Sequence, residues 1–583
     1  MPSLLHSTLS DLESLSRSHE SSLLAGRKVG LEKENLRVRP DGLIAQSDHP
    51  TGLGSALANP YITTDYAEAL LELVTPALSS VTEALNFLDQ TQLFVQNQLQ
   101  EDEIIWNTSM PCVLDGGGQI RIGHYGSSNI GQMKSVYRRG LGLRYGRSMQ
   151  TIAGIHFNYS WPEQLWRALA QRIVDSKSSR DNADALVQYA NAFLNPGAVT
   201  QDAPVAVPGP APASSRFVSE MYLGVTRNLL RNTWLIPLLF GASPAICKTF
   251  LDGRAPVSGF EQHGNSTLYQ PYATSLRMGD IGYNYSKKAA ASITVDYSNL
   301  ETYTADLHRL ITTTHEGYAE FGLLDDEGRY QQLNEHLLQI ENEYYSPVRP
   351  KQLVNKMEAP VLAKRARGIL YAELRCLDLN IFEPCGMSEQ QLHFLEVFML
   401  HGVLCDSPVI ADKEMQDIGR NMSTVAHRGR DPEATVTIKG QVTPLQDAAR
   451  ALLDELDAVA AFLDKDAGIG RGSTASVYAD AVQAQRQKVE NIELTPSARV
   501  LDEVLSQHDS FYDFAREQSE TVARHCKTLK PDADIQTRLQ SAVEQSVEKQ
   551  RALEADDSQD FDAFLKSYFS QLSDLPAISN EAG

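Results

Sequence analysis

Polar residues placed two apart inside apolar frames are the first regularity of this chain. Glu32 and Glu34 stand in Val29-Gly-Leu-Glu-Lys-Glu-Asn-Leu-Arg-Val38, and His156 and Asn158 in Ile152-Ala-Gly-Ile-His-Phe-Asn-Tyr159. Glu341 and Glu343 stand in Leu338-Gln-Ile-Glu-Asn-Glu-Tyr344, and Glu373 and Arg375 in Ile369-Leu-Tyr-Ala-Glu-Leu-Arg-Cys-Leu377. Residues i and i+2 of a strand share a face, so the pattern predicts a sheet with one oily face and one carboxylate-lined face. Ahead of it, residues 3–28 read as one or two amphipathic helices, with Leu4, Leu5, Leu9, Leu12 and Leu15 at mostly helical spacing. The strand at 29–38 ends in the turn Arg39-Pro-Asp-Gly42. Asp65 and Glu68 would suit a helix start, but Leu71-Glu-Leu-Val-Thr75 alternates and reads as a strand carrying Glu72. Residues 80–102 read as an amphipathic helix.

From about residue 385 the chain becomes rich in Ala, Leu, Gln, Glu and Asp, with helical periodicity over 387–406, 442–464, 474–490, 496–527 and 535–572. The expected fold class is α+β, a mainly antiparallel sheet surrounded by helices with a helical C-terminal half. Pro204, Pro208, Pro210 and Pro212 mark a surface insertion at about 197–215. Strand-like segments of one style flank it, so residues 1–583 read as a single domain.

Composition changes this picture little. At 42% hydrophobic and 22% charged residues the chain is an ordinary globular protein. A net charge of −22 argues against a nucleic-acid partner, but not against ATP, because bound Mg²⁺ and local arginines set the field in a pocket. No signal peptide and no long apolar run are evident, so neither secretion nor a membrane span is expected. The six cysteines are scattered without a Cys-x-x-Cys pair, which argues against a zinc site or a disulfide framework and for a reducing cytoplasm.

Carboxylates crowd a half-buried face only when a cation compensates them, and Mg²⁺ is the usual one. Each residue also has a plain reading: a solvated strand face for Glu32 and Glu34, a surface acid for Glu72, a hydrogen-bonded core histidine for His156, an ion-pair row for Glu373 and Arg375. Their combination favours a metal–nucleotide site. A P-loop tract is missing, and the glycines at 116–118 and 468–472 lack the strand–helix context of a phosphate loop. Arg277 and Arg138 suit anionic substrates through paired guanidinium hydrogen bonds, or are surface ion pairs. Tyr283 and Tyr345 suit a substrate wall or the core.

These residues lie in segments that resemble glutamate–cysteine ligases of the proteobacterial type: GLEKENLRV, YITTDYAEALLELVTP, NTSMPC, YGSSNIGQMKSVYRRGL, YGRSMQTIAGIHFNYS, IPLLFGASPAIC, PYATSLRMGDIGY, LQIENEYYSPVRPK and YAELRCLDLN. The resemblance runs from about residue 20 to about 500; the Pro-rich insertion and an extended C-terminal tail depart from it without touching a motif. It implies a curved, glutamine synthetase-like catalytic funnel. It also implies ATP-dependent joining of the L-glutamate γ-carboxylate to the amine of L-cysteine through a γ-glutamyl phosphate, the first step of glutathione synthesis. Glu32, Glu34, Glu72, His156 and Glu373, with Asp65, would hold Mg²⁺, and the histidine would let Mn²⁺ substitute. Arg375 would face the ATP phosphates, making Glu32, Glu34, Glu373 and Arg375 the catalytic set. Arg277 and Asn158 would hold glutamate. Tyr137, Arg138, Tyr283 and Tyr345 would form the cysteine site, bordered by Tyr66. A cytoplasmic monomer is expected. The rival readings are a ligase for another amine, a non-catalytic regulator, and a bifunctional enzyme that also adds glycine.

Overall fold

The computed structural model describes residues 4–18, 22–111, 113–176, 185–195, 211–254, 258–281, 293–468 and 476–573. Tyr283, Cys112, the glycines after 468 and most of the Pro-rich segment (196–210) lie outside them. Residues 213–215 of that segment are helical rather than loop, since a helix opens at Ala213 behind the buried Ala211.

The strands are β1 (Lys28–Val38), β2 (Ile62–Thr64), β3 (Leu70–Val74), β4 (Ile104–Trp106), β5 (Ile155–Ser160), β6 (Ala245–Cys247), β7 (Glu261–His263), β8 (Thr267–Tyr269), β9 (Val348–Lys351), β10 (Tyr371–Leu377), β11 (Thr435–Ile438) and β12 (Gln441–Pro444). The main sheet runs β2-β3-β1-β5-β10-β9, with β4 continuing along β1, and its pairs are antiparallel. A register shift between Leu374 and Leu377 bends β10, as a bulge does. β6, β8 and β7 form a small second sheet, and β11 with β12 a hairpin.

Alternation sorts the main sheet's residues. Val29, Leu31, Leu71, Leu73, Ile155, Phe157, Ala372 and Leu374 are buried. Helices Val81–Gln96, Ala213–Asn232, Leu235–Phe240 and Phe511–Thr528 pack on the sheet's strands. Ser80 caps the first of these by accepting from the Glu83 N–H. Lys33 breaks the apolar pattern, yet it is fully buried and donates to Asn107 Oδ1 at 3.0 Å and to the Pro384 carbonyl at 3.1 Å.

Helix Glu389–Leu404 is buried on every side beyond its first turn, His393 excepted, as befits a helix whose apolar residues are spread around its axis. It packs against Ala213–Asn232, Leu445–Gly468 and Val477–Glu490 and centres the helical half. One contiguous buried cluster extends from Leu5 to Leu572. Among the described residues no helix is long and apolar enough to cross a membrane.

Four expectations need correction. Glu341–Glu343 is a 3₁₀ turn, not a strand. The helical stretch at 496–527 is two helices, Pro496–Gln507 and Phe511–Thr528, the second capped by Ser510. The stretch at 535–572 likewise splits into Ala533–Asp556 and Phe561–Ser570, the second capped by Asp560. The tail also meets a motif after all. Phe564 and Leu565 pack with Val136 and Leu333, against Ile130, Met133 and Tyr137 of helix Asn129–Tyr145. The Gln559 carbonyl accepts from Asn129 Nδ2 at 2.9 Å, and Glu554 accepts from the Ser127 N–H at 2.9 Å.

Candidate active site

Cross-strand register gathers the polar residues on one face. Glu34 stands opposite Glu72, Glu32 opposite His156, Asn158 opposite Glu373, and Glu373 opposite Arg349. Directly opposed residues project to the same side. Read across the strand order, the face is acidic on β3 and β1 and cationic on β10 and β9, where Arg375, Arg349 and Lys351 lie. His156 sits at the seam. Its Nδ1 is 3.0 Å from Glu32 Oε2 and 3.5 Å from Glu373 Oε1, and its Nε2 is 3.8 Å from Glu34 Oε1.

This face floors a cavity of about 1060 Å³, at the upper end of ordinary small-molecule sites and roomy enough for more than one substrate. Helix Asn129–Tyr145 forms one wall with Lys134, Tyr137, Arg138 and Tyr145. The segment Ile340–Pro347 forms another, and helix Asp412–Arg428 a third with Asp412, Met415, Gln416 and Met422.

The acidic end holds more negative charge than its protein partners offset. Burial, reinforced by Glu32, Asp65 and Glu34, pushes the Glu72 carboxyl well above the usual range. Burial and Asp65 push Glu34 up to about 7. At the other end burial is outweighed. Lys351, Arg375, His156 and Arg349 together hold Glu373 well below the carboxylate range, with Lys351 Nζ at 3.4 Å and Arg375 Nε at 3.8 Å from Oε2. Hard oxygen donors crowded at one end of a buried face fit a hard divalent cation. Glu32, His156 and Glu373 offer ligand atoms within 4.8 Å of one another.

Most of the residues singled out in the sequence reach this cavity: Glu32, Glu34, Asp65, Tyr66, Glu72, Tyr137, Arg138, His156, Tyr345, Glu373 and Arg375 line it. Asn158 and Arg277 do not. Asn158 Nδ2 donates to Glu32 Oε1 at 2.8 Å and orients that carboxylate, while its own Oδ1 is buried without a partner. Arg277 is 1% exposed and lies beneath the floor. Its Nη2 donates to the Arg375 carbonyl at 2.9 Å, and Nη1 is 3.8 Å from Asp378 Oδ1. A side chain at Gly154, whose N–H donates to Glu34 at 2.8 Å, would collide with this guanidinium. Arg138 lines the wall, but its nitrogens go to the Asp65, Lys134 and Thr64 carbonyls and its plane lies 4.6 Å from the centre of the Tyr125 ring. It therefore fixes the turn that carries Asp65. Tyr345 stacks beneath Arg375, with the guanidinium carbon 5.8 Å from its ring centre.

The sequence reading missed three cations of this cavity: Lys351, Arg349 and Lys134. Arg349 and Lys351 obey the same two-residue spacing that exposed the acids. Burial and Arg138 lower the Lys134 amine to about 8, against the opposing pull of Glu72 and Asp65.

A family profile described as glutamate-cysteine ligase matches residues 12–195 and 208–425. The chain is 42% identical over 564 residues to a glutamate–cysteine ligase of Hahella chejuensis, covering 96% of this chain and 98% of the relative. To that of Alcanivorax borkumensis it is 37% identical over 562 residues, covering 96% and 98%. Among solved structures it resembles a glutamate–cysteine ligase of Francisella tularensis in complex with AMP, with TM-score 0.82, 32% identity, and 95% and 99% of the two chains covered. It also shares the fold of a bifunctional glutathione synthetase of Pasteurella multocida (TM-score 0.61, 22% identity), covering 89% of this chain and 54% of that one.

Proposed function

The chain belongs to the glutamate–cysteine ligase family, and we propose how its cavity carries out that family's reaction. The reaction is ATP-dependent ligation of the L-glutamate γ-carboxylate to the amine of L-cysteine, giving γ-glutamylcysteine, ADP and phosphate, the first step of glutathione synthesis. One observation carries the assignment of chemistry: a single sheet face, acidic at one end and cationic at the other, floors one large cavity.

Glu32, Glu34, Glu72, His156 and Glu373, with Asp65 beside them, are the residues that would hold Mg²⁺; the imidazole also suits Mn²⁺. When bound, the ions neutralise phosphate charge and withdraw electrons from the transferring phosphoryl group. Arg375, Lys351 and Arg349 offer the triphosphate a fixed cationic bed. Arg375 supplies a planar fork, set on Tyr345 before ATP arrives. Phosphoryl transfer to the glutamate γ-carboxylate needs chiefly alignment and charge stabilisation, which a rigid sheet floor supplies better than loops. The γ-glutamyl phosphate is then attacked by the cysteine amine and phosphate leaves. Tyr137 and Tyr66, on the helix wall and the β2 turn, border the acceptor side and exclude water that would hydrolyse the acyl phosphate. Asn158 acts through Glu32. Arg277 acts on bound glutamate through Glu34 and Arg375.

The continuous buried cluster supports a single domain. The described cysteines are free thiols, consistent with a reducing cytoplasm.

ADP release measured with ATP, Mg²⁺ and glutamate, with and without cysteine, tests the assignment. Turnover should depend on glutamate and rise sharply with cysteine. Turnover indifferent to cysteine but driven by another amine would refute the acceptor.

A further inference from the structure

Among the described residues one other group of metal-binding side chains converges, away from the cavity. His401 and Cys405 stand four residues apart at the C-terminal end of helix Glu389–Leu404, a spacing that puts both on one face. Glu455 approaches from the adjacent helix Leu445–Gly468. His401 Nε2 is 2.7 Å from Glu455 Oε2 and 3.2 Å from Cys405 Sγ, and the three ligand atoms lie within 4.8 Å of one another.

We propose that His401, Cys405 and Glu455 form a second metal site, for a borderline cation of the Zn²⁺ class, with its remaining position open to water. The donor set decides the metal. A thiolate and an imidazole favour Zn²⁺ over Mg²⁺, so this site and the oxygen-rich sheet face select different ions. Distances agree. Tetrahedral Zn²⁺ with Zn–N and Zn–O of about 2.0–2.1 Å and Zn–S of about 2.3 Å needs ligand atoms roughly 3.3–3.6 Å apart. The imidazole's two neighbours need to retreat by less than about 1 Å. Glu455 has 52% of its side chain exposed.

The other two ligands are held in advance. His401 is 3% exposed within this largely buried helix. The Cys405 N–H donates to the His401 carbonyl at 3.2 Å, and its carbonyl accepts from Asn228 Nδ2 at 3.1 Å. Rigid placement of this kind lowers the cost of assembling a site. Binding forms the metal–sulfur bond as the thiol loses its proton to solvent, so each ion taken up releases a proton. The ion then ties helix Glu389–Leu404 to helix Leu445–Gly468, at the middle of the helical half.

Co²⁺ added to chelator-stripped full-length protein reads the site directly. Among the described residues no cysteine lines the catalytic cavity, so a thiolate-to-cobalt charge-transfer band that Cys405→Ser removes reports on this site whatever becomes of the ligase assignment. One equivalent should produce the band, and Zn²⁺ should abolish it by displacement. Cys405→Ser should remove it, and Glu455→Gln, a surface change that leaves the fold intact by circular dichroism, should weaken Co²⁺ binding at least about tenfold. A missing band, a band that survives Cys405→Ser, or unaltered affinity in Glu455→Gln would each overturn the site and leave a hydrogen-bonded triad.

Discussion

Glu32 and Glu34 are separated by one residue, and so are Glu341 and Glu343, but the two pairs end in opposite circumstances. The first pair lies on a strand, where both carboxylates face one cavity and meet further acids, Glu72 and Asp65. The second lies on a 3₁₀ turn that sends its side chains apart. Glu341 pairs with buried Lys364 and lies 3.6 Å from Arg349, and Glu343 pairs with Arg144 at 3.0 Å and accepts from Tyr145 at 2.8 Å. Each member of the second pair has its own cation. The first pair shares one histidine and an excess of negative charge. Partner balance, more than acid spacing, separates the proposed metal-binding face from internal scaffolding.

The contrast breaks most visibly at its strongest point. Glu32→Gln or Glu373→Gln should lower ADP release by on the order of 10³-fold while circular dichroism stays native; full turnover at ordinary Mg²⁺ would remove these residues from the metal set. Glu341→Gln should act on the other side of the contrast. It leaves Lys364 buried without its counter-charge, a defect worth about 3–5 kcal/mol, visible as a lower denaturant midpoint with the Mg²⁺ dependence unchanged. A shifted Mg²⁺ dependence at native stability would erase the distinction. Arg277→Ala sharpens the catalytic side further. The half-saturating glutamate concentration should rise about tenfold or more, and an unchanged value would confine Arg277 to the scaffold.

The last effect lies in the helical half. Lys488 donates to the Leu239 carbonyl at 3.1 Å, and burial lowers its amine from 10.5 to about 8. Between those two values the unfolded chain holds a proton the folded chain has shed, so stability rises with pH across that window by at most about 1.4 kcal/mol per unit. Lys488→Met should lessen this rise in urea titrations at pH 8 to 10.5, the remainder belonging to Lys33 and Lys134, whose buried amines are also lowered to about 8; an unchanged slope would remove Lys488 from it.

The acidic floor was legible because a strand converts two-residue spacing directly into a shared face, and β1, β5 and β10 are strands of that kind. The cationic end was written in the same spacing, Arg349 and Lys351, but Pro350 between them reads against a strand. The structure resolves this by making β9 an edge strand, where a missing N–H is tolerated. Likewise the breaks in the C-terminal helices were present as Ser510 with Asp513 and as Asp560, cap residues inside runs of helical periodicity. Helix Asp412–Arg428 carries an apolar stripe, Met415, Ile418, Met422 and Val425, within a strongly polar stretch that hides it. What local sequence does not encode is where long side chains end. The engagement of Arg138 by backbone carbonyls and the position of Arg277 under the floor depend on segments far apart in the chain.

Helix Phe561–Ser570 packs behind the wall that carries Lys134 and Tyr137. During translation the β-strands emerge long before this buttress does. A ribosome-bound intermediate ending before residue 561 would already own the acidic floor and still lack the backing of its acceptor wall, so competence for ligation should arrive late in synthesis.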